Sequence, residues 1–505
     1  MTAPAHRTGL RARLLPFDTF RENVAVLARD NSVLRPERLA GVRRLLVRGP
    51  NAEILASPMI ADAGAGLAAD EIGLPQPAFR RLCIASGDRV EIAPSPPPVS
   101  LDAVRAKIRG EPLSAAKMTE VVGDLVAHRL SDMEIAAFLV ACASFMTADE
   151  TLALTEAMVA AGARLAWGER TVVDKHCIGG VPGNRTSLII APIVAAHGLL
   201  IPKTSSRAIT SPAGTADTME VFARVDLHED ALRAVVERCG GCIAWGGRVN
   251  LAPADDILIS VERPLGIDMP EQMVASILSK KAAAGSNRLL VDMPVGPSAK
   301  IRDAASALRV RKLFEFVAGR MGLSIEVLTT DGSRPIGRGV GPLLEAEDVL
   351  AVLDGRPDAP HDLADKSVRL AGRLLEADPE VRGGQGEARA RELLRSGAAR
   401  RKFAEIIEAQ GPSPIHAKLG SLVHEAKAPR DGRVAAIDCL RIATVARLAG
   451  APTDPGSGLR LLKDVGDEVR AGEPLYRVHG EEPSEFGFAV EAAQEDSGFV
   501  LGASA

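Results

Sequence analysis

The amino-acid sequence predicts an α/β protein in several parts: a helical subdomain and a large mixed-sheet α/β domain, with an N-terminal and a C-terminal β-rich domain. Three observations predict it. Four prolines crowd into residues 93–98, apolar residues recur at three- and four-residue spacing over residues 99–170, and strand-like runs alternate with helical ones from residue 171 onward. A proline run continues neither a helix nor a central strand and reads as a stiff linker. Strands alternating with helices imply βαβ units.

Residues 1–93 contain the strand-like pieces ARLLPF, RRLLVRG and SGDRVEIA and are expected to form a small β-rich (α+β or barrel) domain of their own. Over residues 99–170 the apolar period is helical, and Ser131 and Thr147 stand at N-cap positions, the latter with Glu150 three residues on as in a capping box. From Thr171, TVVDKH, LIPKTSS, GCIAWGG, DILISVE and NRLLVDMPVG read as strands, and TSLIIAPIVAAHG as a helix. The segment PEQMVASILSKKAAA opens on Pro270, a favourable first-turn residue. Residues 253–288 are expected to complete the helical domain, leaving 171–252 and 289–405 for the α/β domain. The Arg/Glu-rich stretch from Glu376 to Arg401 reads as a solvated helix, and residues 406–505, with RDGRVAAID and GEPLYRVHG, as a β-rich end domain.

Composition excludes several classes. The 505 residues are 46% hydrophobic, and 61 Lys+Arg against 65 Asp+Glu leave a net charge of -4, which argues against a nucleic-acid binder. Aromatics at 3% argue against base-stacking platforms. Six cysteines in so long a chain make no disulfide framework, so a reducing, cytoplasmic setting is expected. The longest apolar stretch, Ser187 to Leu200, contains Pro192 and His197 and is shorter than the ~20 apolar residues of a membrane span.

The strongest chemical signal is Asp174-Lys-His-Cys-Ile-Gly-Gly-Val-Pro-Gly-Asn-Arg-Thr-Ser187. A strand brings Lys175 and His176 to its C-terminal end, glycines follow, and a helix begins. Ligands sit at that edge of open α/β sheets, and a helix N-terminus offers unpaired N–H groups to an anion. The spacing is not that of a P-loop. A tight βα turn would share the glycines but does not require the Lys and His before them. A second loop, from Lys203 to Asp217, places six hydroxyls in twelve residues (Thr204, Ser205, Ser206, Thr210, Ser211 and Thr215) beside Arg207 and Gly214. It suits an anion or a sugar, or a polar surface loop that caps a helix. Asp268 precedes a helix on which Ser276 and Lys280, four apart, share a face; a capping aspartate with a solvated lysine is the plainer account. The pair Cys239 and Cys242 has the spacing of half a redox or zinc site, with no second pair to complete it, and no metal is expected.

These pieces carry a resemblance. LSDMEIAAFL, DKHCIGG, SSRAITSPAGTAD, the run from WGG to PADDILISVERPLGID, and ASILSKKAAAG, in that order, resemble the thymidine phosphorylase family of pentosyltransferases over about residues 110–350. HEAKAPRDGRV and DVGDEV resemble its end domain. The N-terminal ~90 residues and the wording SRAITS…AGTAD are similar to its AMP phosphorylase branch. The resemblance implies phosphate-dependent cleavage of the N-glycosidic bond of a nucleoside or a nucleoside 5′-monophosphate, giving free base and a pentose 1-phosphate, in a homodimer or higher homo-oligomer with inorganic phosphate as co-substrate and no cofactor. By the same resemblance Lys175, Ser187, Ser205 and Thr215 hold phosphate, and His176, Ser276 and Lys280 surround the base. Gly180, Ser206, Arg207, Ala208, Ile209, Thr210, Ser211, Thr215, Ser276 and Lys300 match nucleotide-binding positions, and Asp268 the proton donor. Cys177 departs from a usual Ser, and the base-gripping arginine aligns near Val261. With the N-terminal domain and the SRAITS loop, that loss points to a 5′-phosphorylated substrate, for which Arg207 is expected to supply donors. His176 or Asp268 could donate a proton to the departing base, with Lys280 as a charge partner, Asp268 only if burial keeps it protonated. The alternatives are a magnesium-dependent phosphoribosyltransferase of related fold, whose acidic metal-binding signature is missing here, and a non-catalytic regulatory relative.

Overall fold

The computed structural model describes residues 9–19, 22–34, 44–62, 64, 66–208, 211–381 and 383–503. The chain divides into two compact units, Met1–Ala161 with Pro253–Met269, and Gly162–Ala252 with Pro270–Ala505.

In the first unit, the strands Leu10–Leu14, Val24–Ala28, Leu45–Arg48, Glu53–Ala61, Glu71–Leu74 and Arg89–Pro94 close into a six-stranded barrel. Leu10, Leu27, Leu45, Val47, Ile72 and Leu74 fill it. Each buried aliphatic side chain contributes ~1.5–3 kcal/mol, which a barrel this small needs in number. The proline run then passes the chain to the helices Ser100–Ile108, Ala115–Val126, Asp132–Ser144 and Ala148–Ala160. Both Ser131 and Thr147 make full capping boxes, with Glu134 and Glu150. Glu150 is also buried against Lys107, at 2.6 Å. The barrel has a core of its own and falls in one compact unit with the bundle. It packs on the bundle: Arg44 pairs with Glu134, and Glu22 accepts from the Asp132 amide at 3.0 Å.

Two expectations about residues 253–288 change. DILISVE is helical, within Pro253–Leu265, because Ala254, Ile257, Leu258 and Val261 form one buried helical face that outweighs their β-branched composition. The next helix, Pro270–Ala283, belongs with the α/β unit rather than with the helical part.

The second unit is built on the parallel strands Val173–Cys177, Arg288–Val295 and Ser324–Asp331, with Arg288–Val295 in the middle, and on the parallel pair Ile201–Ser205 and Gly241–Trp245. A bridge from Val172 to Leu200 brings the two ladders together. Helix Thr186–His197 is almost wholly apolar because it is buried in the main core, where Leu188, Ile190 and Ile193 cluster with Leu363, Leu370, Leu374 and Phe403. The stretch 376–401 is not one solvated helix. Helices Gly386–Arg395 and Ala398–Gln410 break at Gly397 (φ 72°) and bury Ala390, Leu393, Ala399, Phe403 and Ile406. Past residue 411 the strands form two small sheets, one of which takes in Gly339–Val340 as its edge. Among the described residues no helix is long and apolar enough to cross a membrane.

Candidate active site

In the strand Val173–Cys177, Lys175 stands opposite Leu290, His176 opposite Val291 and Cys177 opposite Asp292. The chain then turns through Gly179 and Gly180. Gly180 has φ 89°, and a Cβ there would lie 2.7 Å from the Lys300 backbone nitrogen, so only glycine lets these two segments meet. The helix that follows opens at Thr186, whose hydroxyl accepts a 2.7 Å hydrogen bond from Lys175 Nζ. Lys175 is 1% exposed. Its counter-charge is Asp292, 3.6 Å away, which also accepts from Thr330 Oγ1 (2.6 Å) and Asn184 Nδ2 (3.3 Å) and lies 3.1 Å from Lys366 Nζ. Burial works to raise the Asp292 carboxyl, yet Lys175, Lys366 and Thr330 hold it down at about 2. Burial draws Lys175 below its ordinary value, with Asp292 opposing. A cation desolvated to this degree binds an arriving anion more strongly than a solvated one.

Beside it lies a second charge group. Asp174 meets Lys281 at 2.7 Å and Lys203 at 3.5 Å, and both lysines donate to the Thr204 carbonyl, at 2.9 and 3.0 Å. These contacts fix the end of the strand Ile201–Ser205, from which the hydroxyl loop departs. Burial, with the field of Lys281, Lys203, Lys280 and Lys175, pushes His176 well below 6.5, so its imidazole is neutral. A neutral ring offers one donor and one acceptor, suited to hydrogen bonding rather than to donating a proton from imidazolium. Lys280 donates to Ser276 Oγ at 2.9 Å, as their spacing predicted.

The loop after Ser205 is clasped by Asp217. One of its oxygens accepts from the amides of Ala208 (2.7 Å) and Gly214 (2.8 Å), while the other faces Arg207 at 3.3 Å. Arg207 is spoken for: Glu220 grips its guanidinium at 2.5 and 2.7 Å, and Trp245 lies beneath it. These contacts order its own loop, while the side chain stays 37% exposed. Thr215 opens the next helix and accepts from Arg185 at 3.3 Å, and Arg185 in turn pairs with buried Glu345. Ser205 and Ser211 are half-buried and Ser206 is exposed; Ser187 is buried beside Thr186; Lys300 is exposed behind Gly180. Ile209 and Thr210 lie outside the described residues.

Asp268 belongs to the other unit and is exposed. Lys175, His176, Gly180, Ser205 and Thr215 gather on the α/β strand ends. Asp292, Lys366, Lys203, Lys281, Asp217 and the Arg185–Glu345 pair escaped sequence reasoning. A signal existed for one of them: Asp292 interrupts the apolar run over residues 289–295, which buried parallel strands seldom allow. Cys239 and Cys242 are buried free thiols, and no metal-sized cluster of His, Cys, Asp or Glu occurs among the described residues.

A helical unit and a parallel α/β sheet with a lysine-lined glycine turn at its C-terminal edge define a glycosyltransferase of the pentosyl-transferring kind. Family models agree: residues 101–162 match the glycosyl transferase family helical bundle domain, 169–400 its a/b domain, and 433–499 the pyrimidine nucleoside phosphorylase C-terminal domain. A protein of Rhodopseudomonas palustris curated as "Putative thymidine phosphorylase" is 59% identical over 502 residues, 99% of this chain and 98% of the relative. Proteins of the same curated name from Bradyrhizobium diazoefficiens (57%; 97% of this chain, 96% of the relative) and Methylococcus capsulatus (52%; 99% and 97%) are also similar. The chain belongs to the thymidine phosphorylase family. Among solved structures, anthranilate phosphoribosyltransferase from Thermus thermophilus shares the fold, with a TM-score of 0.53 and 23% identity over 61% of this chain and 99% of that one.

Proposed function

We propose that the protein cleaves a pyrimidine nucleoside, with thymidine as the lead substrate, by phosphorolysis. A phosphate oxygen forms a bond to C1′, the C1′–N bond breaks with its electron pair going to the base, and the base leaves as its anion and takes its proton from water. The observation that carries this reading is Lys175, buried at the sheet edge against Thr186 with a single carboxylate as counter-charge. Such a cation holds and desolvates a phosphate nucleophile, a positioning and electrostatic task. Neutral His176 is suited to orient the base, and Lys280, held by Ser276, to offset charge that develops on it. No metal or cofactor enters the scheme. The full-length relatives, which share the N-terminal segment, support a nucleoside over a nucleotide, and so does the engagement of Arg207 by Glu220.

The second reading, cleavage of a nucleoside 5′-monophosphate such as AMP to adenine and ribose 1,5-bisphosphate, keeps the support of the SRAITS loop. One panel separates the two: base release from thymidine, uridine, adenosine, AMP, CMP and UMP, each with and without phosphate, and with a chelator. Thymidine exceeding every monophosphate supports the first reading. A monophosphate exceeding every nucleoside supports the second, and activity lost to chelator and restored by magnesium refutes both.

A further inference from the structure

One buried cation at the sheet edge has no part in this scheme. Lys366 lies on helix His361–Leu375, and its Nζ approaches Asp292 Oδ2 to 3.1 Å, the same oxygen that Lys175 Nζ approaches to 3.6 Å. Two ammonium groups thus crowd one carboxylate oxygen, which Asn184 also contacts, while Thr330 takes the other oxygen. Lys366 Nζ is buried, and the acceptor it approaches among the described residues is the Asp292 oxygen that Lys175 and Asn184 already share. An ammonium carries three N–H donors, and a buried one with donors to spare is unfavourable until an acceptor reaches it.

Its location says which acceptor. Asp292 is in register with Cys177, the last strand residue before the glycine turn, and Lys366 Nζ lies 3.1 Å from Asp292. Its position is therefore the ligand edge of the sheet. The neighbouring arrangement is similar: Asp292 faces Lys175 and Lys366, and Asp174 faces Lys203 and Lys281, so each buried carboxylate has two lysines beside it. We infer that Lys366 is a second cation for the inorganic phosphate, so that Lys175 and Lys366 together receive one dianion across Asp292. This rests on the phosphorolytic reading above.

The test is steady-state kinetics on the unmutated enzyme, Lys366→Gln and Lys366→Met, with phosphate and nucleoside varied in turn. Glutamine offers Asp292 an amide N–H, with one bond less reach, and removes the charge. The phosphate KM is expected to rise about tenfold or more in both variants, as loss of a charged hydrogen bond implies, with the nucleoside KM unchanged within about twofold. A lysine that only braces Asp292 would leave the phosphate KM of Lys366→Gln at the unmutated value, and that result overturns the inference. The shift in Tm produced by inorganic phosphate alone provides a readout independent of turnover. A smaller shift in Lys366→Gln supports the proposal, and an equal one refutes it even if Lys366→Met fails to fold. Absence of phosphate-dependent base release by the unmutated enzyme would sink the phosphorolytic reading instead, and the phosphate Tm shift would still decide the role of Lys366.

Discussion

Replacing Asp217 by alanine should loosen the hydroxyl loop without unfolding the protein. The carboxylate is 9% exposed on its side chain and accepts two backbone amides, from Ala208 and Gly214, while pairing with Arg207. A hydrogen bond to a charged group contributes ~1.5–3 kcal/mol. Both donors sit in a half-exposed loop that water can reach, so the restraint lost is set at ~2–4 kcal/mol rather than the full sum. If loop order limits productive binding, kcat/KM for nucleoside should fall roughly 30- to 1,000-fold. Asp217→Asn keeps one acceptor oxygen and should fall between the two. The assay pairs base release with limited proteolysis over residues 206–214, where cleavage should accelerate in Asp217→Ala while Tm changes little. A variant within about threefold of the unmutated kcat/KM, with unchanged loop cleavage, would refute the clasp.

Other substitutions test the remaining parts of the site. Lys175→Met should raise the phosphate KM by one to two powers of ten or more, roughly the value of a charge-assisted bond, measured by initial rates with phosphate varied. Arg207→Ala should reduce kcat/KM equally for a nucleoside and its 5′-monophosphate, because the guanidinium is engaged by Glu220 and Asp217; a loss confined to the monophosphate would restore Arg207 as a phosphate ligand. Burial outweighs the Arg185 pairing and raises Glu345 to about 7. Between its ordinary value and 7 the folded protein therefore binds the extra proton, so this site's contribution to stability is present below that window and is lost as pH rises through it, by up to ~1.4 kcal/mol per pH unit. Urea unfolding from pH 4.5 to 7 should show that slope in the unmutated protein and lose it in Glu345→Gln. The depressed pKa of His176 should leave its ring nitrogens in the neutral form by NMR from pH 8 down to 6; a titration midpoint inside that range would contradict the burial of the ring and the lysine field around it.

The sequence by itself determined the local devices. Lys175, His176 and the glycines lie within a few residues of one another, so their delivery to a strand end and a helix start follows from chain connectivity and glycine's access to positive φ. The capping boxes at Ser131 and Thr147 are legible for the same reason, as is the Ser276–Lys280 pair, since residues four apart on a helix always meet. Tertiary structure alone decided the partners. Lys280 and Lys281 are indistinguishable as neighbours in SKK, but one helical step turns a side chain by roughly 100°, and packing sends Lys281 into burial against Asp174 while Lys280 meets Ser276. Asp292 and Lys366 reach Lys175 from distant segments only because the parallel strands and helix His361–Leu375 bring them there. The strand-like DILISVE became helix because its buried face, not its composition, set its state. The partners of Arg207, Glu220 at the end of helix Thr215–Glu220 and Asp217 within it, are likewise set by folding. Local spacing can specify which groups are presented together. Charge balance in a dry interior is a property of the folded whole, because each buried ion is tolerated only with the counter-ions that the fold brings to it.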